Sequence, residues 1–142
     1  MSEAVDSVRW VVGTLKGDSQ LGALAGGRVY VDVAPPKSVM PYIVVANASP
    51  SDNMTFNAFR INVSNIVTAK VVGEGRSYDA IEPIADRMDA LLHAQSGIIP
   101  GKTNRAMSCV GLQPVMYPEF DEATAKYYVH LGRDYEILVS TS

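Results

Sequence analysis

The sequence predicts one α+β domain over residues 1–142, in which an antiparallel β-sheet of about five strands packs against an N-terminal helix and one longer amphipathic helix. Several segments alternate apolar and polar residues with a period of two, as half-buried strands do. Two other segments repeat apolar residues every three or four positions, as amphipathic helices do. Short, hairpin-like linkers join most of the strands, which favours antiparallel pairing and leaves a mixed sheet open.

The N-terminal segment predicts two consecutive helices. The first has one apolar face, made of Ala4, Val8, Val11, Val12 and Leu15. Gly17 ends it, and Asp18 can cap a short second helix over residues 19–25, because its carboxylate can accept a hydrogen bond from a first-turn N–H. Gly26 and Gly27 then end the second helix.

Three strands are expected next, over residues 28–33, 42–46 and 59–72. In the first, Val29, Val31 and Val33 alternate with polar residues or tyrosine. The segment 50–53, Pro-Ser-Asp-Asn, predicts a turn. Within 59–72 the alternation of apolar residues changes phase near residues 65–67, which predicts a bulge or a bend there.

The longest amphipathic pattern predicts a helix over residues 79–94. Its apolar stripe consists of Ile81, Ile84, Ala85, Met88, Leu91 and Leu92. Asp79 and Glu82 have the spacing of a capping box. Pro83 is tolerated only in a first helical turn, so a start nearer Glu82 is a second interpretation. Gly97 is expected to end the helix.

Two strands close the predicted fold, over residues 106–116 and 126–140. Gly111 and Pro114 are expected to interrupt the first of them. The second is rich in tyrosine and alternates cleanly. The connecting loop, residues 118–124, is acidic and carries Glu119, Asp121 and Glu122.

Composition excludes several classes of protein. With 12 basic and 15 acidic residues the net charge is −3, and 47% of the residues are hydrophobic. A disordered polyelectrolyte would be less hydrophobic and more charged, and a dedicated DNA-binding protein would carry a basic excess. The single cysteine, Cys109, excludes an intrachain disulfide and is expected to be a buried apolar residue. No targeting or membrane-spanning segment is recognised, so we expect a protein made in a cytoplasm.

The catalytic and ligand-binding motifs are incomplete. Residues 97–103 resemble a phosphate-binding P-loop, but three residues instead of four separate the two glycines, and the segment follows a helix where a P-loop would precede one. Residues 73–75, Gly-Glu-Gly, lack the third glycine of a dinucleotide fingerprint. Both are interpreted as connecting loops.

One carboxylate–histidine stripe is the remaining candidate for chemistry. It runs along the predicted helix as Asp79, Glu82, Asp86, Asp89 and His93. Such side chains could bind a divalent metal or exchange protons, so a small metal-dependent enzyme using Asp86, Asp89 and His93 is an alternative. The simpler interpretation is a solvated helix face, and an intermediate one is an acidic face that meets arginines of a neighbouring subunit.

The order of the segments is more informative than any single motif. Residues 21–30, Leu-Gly-Ala-Leu-Ala-Gly-Gly-Arg-Val-Tyr, precede Ala-Pro-Pro-Lys at 34–37 and Pro-Tyr-Ile-Val-Val at 41–45. A long strand, the amphipathic helix and two strands follow. Over nearly its whole length the chain resembles the tail-completion or tail-terminator family of tailed bacteriophages. Residues 96–105 and 118–124 match no pattern of that family.

This resemblance implies a structural virion protein of the tail and neck, assembled in the host cytoplasm. Family members form six-fold rings that cap the tail tube, end its polymerisation and join the tail to the head connector. The resemblance implies no catalytic residue, metal or cofactor. The expected partners are further copies of the chain in a hexameric ring, the tail tube protein and the head–tail connector, with DNA passing through the channel without specific binding and no membrane partner.

Charged residues are the candidates for the contact between subunits. Arg60, Arg76 and Arg87 of one subunit are predicted to meet Glu119, Asp121 and Glu122 of the next. Long strands such as 59–72 are expected to offer edges for pairing between subunits. Another neck component, such as a head–tail connector, and the tail-tube protein itself remain alternative functions.

Overall fold

The computed structural model describes residues 2–54 and 60–140. Three helices and six strands follow one another along the chain. They are α1 (Ser2–Lys16), α2 (Ser19–Ala25), β1 (Val29–Val31), β2 (Tyr42–Met54), β3 (Arg60–Glu74), α3 (Glu82–Leu92), β4 (Gln95–Ile98), β5 (Arg105–Asp121) and β6 (Lys126–Ser140).

All six strands form one sheet in the order β1-β2-β3-β6-β5-β4. Only β1 and β2 run parallel, and every other neighbouring pair is antiparallel. The α+β class is therefore confirmed, with a mixed sheet of six strands where about five were expected. The additional strand is β4, which lies in the segment predicted to be a loop.

The hydrophobic core lies between one face of the sheet and the helices. On β3 the side chains of Val67, Ala69 and Val71 are fully buried, and Tyr135 and Ile137 on β6 point the same way. The helices contribute Trp10, Val11, Leu15, Ile84, Met88 and Leu92 to the same cluster. Burying one large aliphatic side chain stabilises a fold by roughly 1.5–3 kcal/mol. The predicted apolar faces of α1 and α3 thus form the packed surface.

A buried carboxylate fixes α1 to the β4–β5 connection. Asp6 is 1% exposed. It accepts a hydrogen bond from Asn104 Nδ2 at 2.8 Å and pairs with Lys102 Nζ at 2.9 Å. The segment that resembled a P-loop is therefore the turn between two strands, closed by a hydrogen bond from the Ile99 N–H to the Asn104 carbonyl. Its lysine is bound to an acid of the same chain.

Both ends of α2 follow the prediction. Asp18 has an extended backbone, and its carboxylate accepts a hydrogen bond of 2.9 Å from the Leu21 N–H. At the other end Gly26 has φ 62°, a left-handed conformation that glycine adopts without steric cost.

Helix α3 begins at Glu82, so the later of the two predicted starts is correct. Pro83 lies in the first turn, where its missing N–H costs nothing. The capping box is wrong: the N-cap is Ile81, which makes no side-chain cap. The helix also ends earlier than expected, because His93 is already extended.

Proline placement explains why the predicted turn at residues 50–53 is wrong. These residues lie inside β2, where Pro50 pairs with Asn65. The Ile43 N–H donates to the Arg28 carbonyl, away from β3. The register shift between Asn47 and Ser49 then places the nitrogen of Pro50 on that same outer side. A strand tolerates proline where no ladder hydrogen bond is needed.

The irregularity predicted near residues 65–67 lies on the other strand. The shift in register falls in β2, at Ala48, opposite a regular stretch of β3. The apparent change of phase arises because Asn65, a polar residue, occupies an inward position next to Val67; both are fully buried.

Strand β5 likewise continues through its predicted interruption. The register with β6 shifts between Gly111 and Pro114, and the strand then runs on to Asp121. The Gly111 N–H points away from β6, to His93 Nδ1. After the shift, Pro114 and Pro118 occupy strand positions with the same orientation as Gly111. Their nitrogens therefore also point away from β6, toward the outer edge.

Strand β1 is shorter than predicted. It spans only Val29–Val31, and of the three alternating valines in the predicted strand only Val29 is buried. Val31 and Val33 are 49% and 75% exposed. Because β1 has no neighbour on its outer side, a valine there can face solvent.

Candidate functional site

The β5–β6 hairpin brings the predicted acidic residues together at its tip. Asp121 shapes the turn, because its carboxylate accepts hydrogen bonds from the Ala123 N–H and the Thr124 hydroxyl, both at 3.0 Å. Glu119 lies two positions earlier on β5 and binds His130 Nε2 at 2.7 Å. Glu122 is exposed at the tip, and no ion pair joins it to any described residue.

The predicted arginines do not form one cluster. Arg76 stacks on the ring of Tyr127 at 3.9 Å, so it lies beside the hairpin tip. Arg87 binds both carboxylate oxygens of Asp18, with distances of 2.7 and 3.0 Å. The hydrogen bond from Arg87 lowers the pKa of Asp18 from 3.8 to about 2. The side chain of Arg60 lies outside the described part of the chain.

The carboxylate–histidine stripe of α3 is not a uniformly solvated face. Asp89 accepts a hydrogen bond of 2.8 Å from the Tyr135 hydroxyl, and Arg133 Nε lies 3.5 Å from it. His93 accepts the Gly111 N–H at 3.0 Å. Within residues 2–54 and 60–140, no three His, Cys, Asp or Glu side chains are placed to hold a metal ion. These residues join α3 to the sheet. Burial raises the pKa of Tyr135 most, and the hydrogen bond to Asp89 raises it further.

A buried histidine on the other face of the sheet escaped the sequence analysis. His130 is 7% exposed and stacks on Tyr117, with ring centroids 4.3 Å apart. Lys70 Nζ lies 2.6 Å from the Tyr117 hydroxyl, and Glu119 accepts from His130 on the other side. His130 Nδ1 is buried and has no hydrogen-bond partner among the described residues. Burial lowers the pKa of His130. In the sequence, the only signal for this position was the period-two pattern that places residue 130 on a strand.

A cleft lies at the end of the sheet where β2 begins and β3 ends. Its volume is about 960 Å³. Its lining includes most of the segment from Ala34 to Pro41, and Glu119, Asp121 and Lys126 at the tip of the β5–β6 hairpin. Gly73 and Glu74 also line it. Lys126 Nζ pairs with Glu74 at 3.2 Å, so the Gly-Glu-Gly segment is a strand end bound to the hairpin.

Exposed apolar side chains form two groups in the sequence of elements. One group, here called the β1-edge surface, lies on α2, on β1 and in the segment that follows β1. It consists of Leu24, Val31, Val33 and Val39, between 42% and 75% exposed. The second group, here called the arm surface, lies on the β5–β6 hairpin. It consists of Leu112, Met116, Phe120 and Tyr127, between 38% and 61% exposed.

The edges themselves differ from the prediction. Strand β3 pairs with β2 on one side and β6 on the other, so it offers no edge to a neighbour. The outer sides of β2 and β5 extend beyond the short strands β1 and β4. Pro114 and Pro118 remove alternate N–H donors from the outer side of β5, and Pro50 removes one donor from the outer side of β2.

The fold and these surfaces can be compared with known proteins. The family model described as tail completion protein gp17 matches residues 9–111. The chain belongs to this family. Membership places it among the structural proteins of phage tails and confirms the resemblance drawn from the sequence.

A similar solved structure is a chain of the virion of a native gene transfer agent particle. The TM-score is 0.69 at 16% sequence identity, over 92% of this chain and 91% of that chain. At that identity the likeness shows the fold alone. The sequence matches no curated protein significantly. In the described part of this tail completion family member, no helix is long and apolar enough to span a membrane.

Proposed function

We propose that the chain is the tail terminator, or tail completion protein, of a phage or phage-like particle. In this role it forms a ring that caps the tail tube, ends tube polymerisation and joins the tail to the head connector. The observation that carries the proposal is the family match over residues 9–111. We propose no catalytic activity, since Asp89 and His93 are bound to the sheet and their stripe builds no metal site.

The proposed assembly is a homo-oligomeric, hexameric ring. Each subunit of a closed ring must offer two different surfaces, one to each neighbour, because the contact is heterologous. The β1-edge surface and the arm surface, which lie on different elements, are the candidates for these two surfaces. The tail tube protein and the head–tail connector are the proposed partners on the two ring faces. DNA would pass through the channel without being bound. The ring would be assembled in the host cytoplasm and remain in the virion neck.

Charged contacts between subunits are proposed at the hairpin tip. Glu119, Asp121 and Glu122 of one subunit would face basic side chains of the next, with Arg60, Arg76 and Arg87 as candidates. Arg76 is exposed beside the hairpin and its stacking on Tyr127 leaves its guanidinium edge open to a carboxylate. Arg87 would have to share its guanidinium with Asp18.

Mass measurement and negative-stain images of the purified protein, with and without tail tubes, test the function. A closed ring that binds tube ends and stops their growth is the expected result. Unlimited tubes formed by the protein alone would identify a tail-tube protein instead. A monomer that never binds tube ends contradicts the proposal. Reversing charge at Asp121 and Glu122 together should reduce ring assembly, and unchanged assembly would remove the acidic tip from the interface.

A further inference from the structure

The half of β5 that leads to the hairpin tip, residues 112–121, buries little of its surface; it is here called the outer half. From Leu112 to Phe120 every residue is exposed except Val115, which is half-buried. In the described chain its strand neighbour is β6 alone, because β4 pairs with β5 no further than Cys109. Strand segments with little buried surface open more readily than the core of a folded protein. The side chains that join the outer half to the sheet therefore decide how firmly it is held.

His130 makes two of these joining contacts. Tyr117 lies opposite His130 in the register, and the two rings stack with centroids 4.3 Å apart and planes inclined by 10°. Glu119, two positions further along β5, accepts a hydrogen bond of 2.7 Å from His130 Nε2. On the other side of His130 in the sheet lies Val72 of β3, which is 3% exposed. One imidazole thus connects two residues of the outer half to the interior of the sheet.

The hydrogen bonds of His130 define the form of the imidazole that the folded protein holds. An ionised carboxylate can only accept, so in the neutral ring Nε2 carries the proton and Nδ1 has the lone pair. Nδ1 is buried and has no hydrogen-bond partner among the described residues. A second proton, on Nδ1, would be a buried donor without an acceptor, and such a group destabilises the state that buries it.

The charges around His130 act on this second proton in opposite directions. Burial lowers the pKa of His130 most, the hydrogen bond to Glu119 raises it, and Lys70 lowers it. Lys70 Nζ lies 2.6 Å from the Tyr117 hydroxyl and 5.1 Å from the centroid of the Tyr117 ring, on the same face of the sheet. The other titratable residues that the register places on this face nearby are Tyr42, Glu74, Asp121, Lys126, Tyr128 and Asp134. Glu74 and Lys126 are paired with each other.

We infer that His130 makes the outer half of β5 acid-sensitive: protonation of the imidazole favours a state in which this half is released while the rest of the sheet stays folded. In the released state both ring nitrogens can donate to water, so the proton binds there at the ordinary pKa of 6.5. In the closed state the same proton has no acceptor. Leu112, Met116 and Phe120 of the arm surface lie in the outer half, so acid changes how that surface is presented. This inference does not depend on the proposed ring.

Amide hydrogen exchange of the full chain tests it, at about pH 7.5 and about pH 5.5, with the pH dependence of intrinsic exchange removed. The amides of Tyr117 and Glu119 point toward β6 and report opening of the outer half. At both pH values they should exchange faster than those of residues 66–72 in β3, because they open without global unfolding. Their protection should also fall about tenfold or more between neutral and acid pH.

Four variants identify the group responsible. His130→Phe keeps a ring on Tyr117 but cannot bind a proton, so protection of the outer half should no longer change with pH. His93→Gln is the matched control: His93 is exposed, also contacts β5 by accepting the Gly111 N–H, and glutamine keeps an acceptor. It should retain the wild-type response. Lys70→Met should reduce the loss of protection in acid, and Glu119→Gln should increase it, since these residues oppose and favour the protonated ring.

Three outcomes overturn the inference. The first is protection of the outer half that does not change with pH. The second is exchange of Tyr117 and Glu119 that is no faster than exchange of residues 66–72, because opening would then require the whole domain to unfold. The third is a wild-type acid response in His130→Phe, which would assign the response to another group. All three leave the proposed function standing, because ring formation and tube binding are measured separately.

Discussion

The buried carboxylate of Asp6 in α1 accepts a hydrogen bond of 2.8 Å from Asn104, which lies 98 residues further along the chain. Lys102 pairs with the same carboxylate at 2.9 Å. One acidic side chain therefore holds the N-terminal helix against the turn between β4 and β5. Without it, the Asn104 amide would keep only its 3.4 Å hydrogen bond to the Ser140 carbonyl, and the partly buried Lys102 ammonium would lose its carboxylate.

Asp6→Ala is expected to lower the free energy of unfolding by about 1–3 kcal/mol, the range for a buried polar group left unpaired. Urea unfolding followed by tryptophan fluorescence measures this, since Trp10 lies in the core beside Gly97 of β4. Arg9→Ala is the control. Arg9 contacts Asp6 from a half-exposed position, and its loss should change stability by roughly 0.5 kcal/mol or less. Equal effects of the two variants would contradict the assigned role of Asp6.

Gly132 is the position in the sheet least able to accept a side chain. A Cβ at residue 132 would lie 2.1 Å from the Ala69 carbonyl oxygen and 2.5 Å from Lys70 Cα, both backbone atoms of β3. Gly132→Ala should therefore destabilise the protein by about 1–3 kcal/mol through overpacking. Gly22→Ala is the matched control, because a Cβ there meets nothing within 4 Å and alanine favours the helix. Thermal unfolding should show opposite shifts for the two variants.

His130 is expected to make stability depend on pH near neutrality. Burial lowers its pKa in the folded protein below the ordinary 6.5, although the hydrogen bond to Glu119 acts in the other direction. As the pH falls through 6.5 the unfolded chain binds the proton first, so the free energy of unfolding decreases. Lys70 opposes protonation and Glu119 favours it, and both face the ring.

His130→Phe should reduce this dependence while keeping the aromatic stack on Tyr117. The measurement is urea unfolding at about pH 7.5 and about pH 5.5 for both proteins. A wild-type protein equally stable at both values would show that protonating His130 costs the fold nothing.

The Asp18–Arg87 pair is expected to matter in acid. Because the pKa of Asp18 is lowered to about 2 from 3.8, its contribution to stability is present above 3.8 and is lost as the pH falls through about 2. Arg87→Gln keeps the cap on α2 but removes the ion pair, so acid unfolding should begin at a higher pH. Lys126→Gln, which breaks an exposed pair with Glu74, should leave the acid midpoint unchanged. Circular dichroism during acid titration follows both.

Local patterns predicted most of the elements because their causes are local. The cap at Asp18, the apolar stripe of α3 and the alternation of β6 each depend on neighbouring residues alone. Strand β4 could not be found this way, since four residues beside a helix end have no periodicity of their own. The turn predicted around Pro50 was wrong for a related reason. A proline ends a strand only where its nitrogen would face a hydrogen-bonded neighbouring strand, and the order of strands in the sheet decides this.

The candidate site was predictable only as an inventory of charged residues. Glu119, Asp121 and Glu122 were predicted in one loop because they are close in sequence, but Glu119 and Asp121 lie in β5 and only Glu122 lies in the turn. The intrachain partners of Arg87, Asp89 and His93 come from distant segments, so no pattern in the sequence indicated that these side chains were already bound. The two apolar surfaces were also invisible, because exposure of Val33 or Met116 follows from the order of strands in the sheet.

The outward prolines of β2 and β5 have a consequence for the protein before it meets any partner. Unprotected sheet edges can join copies of a protein into aggregates without regard to sequence. The donors missing at Pro114 and Pro118 weaken such joining along β5. Association then depends on the fit of particular side chains, which a wrong partner does not reproduce.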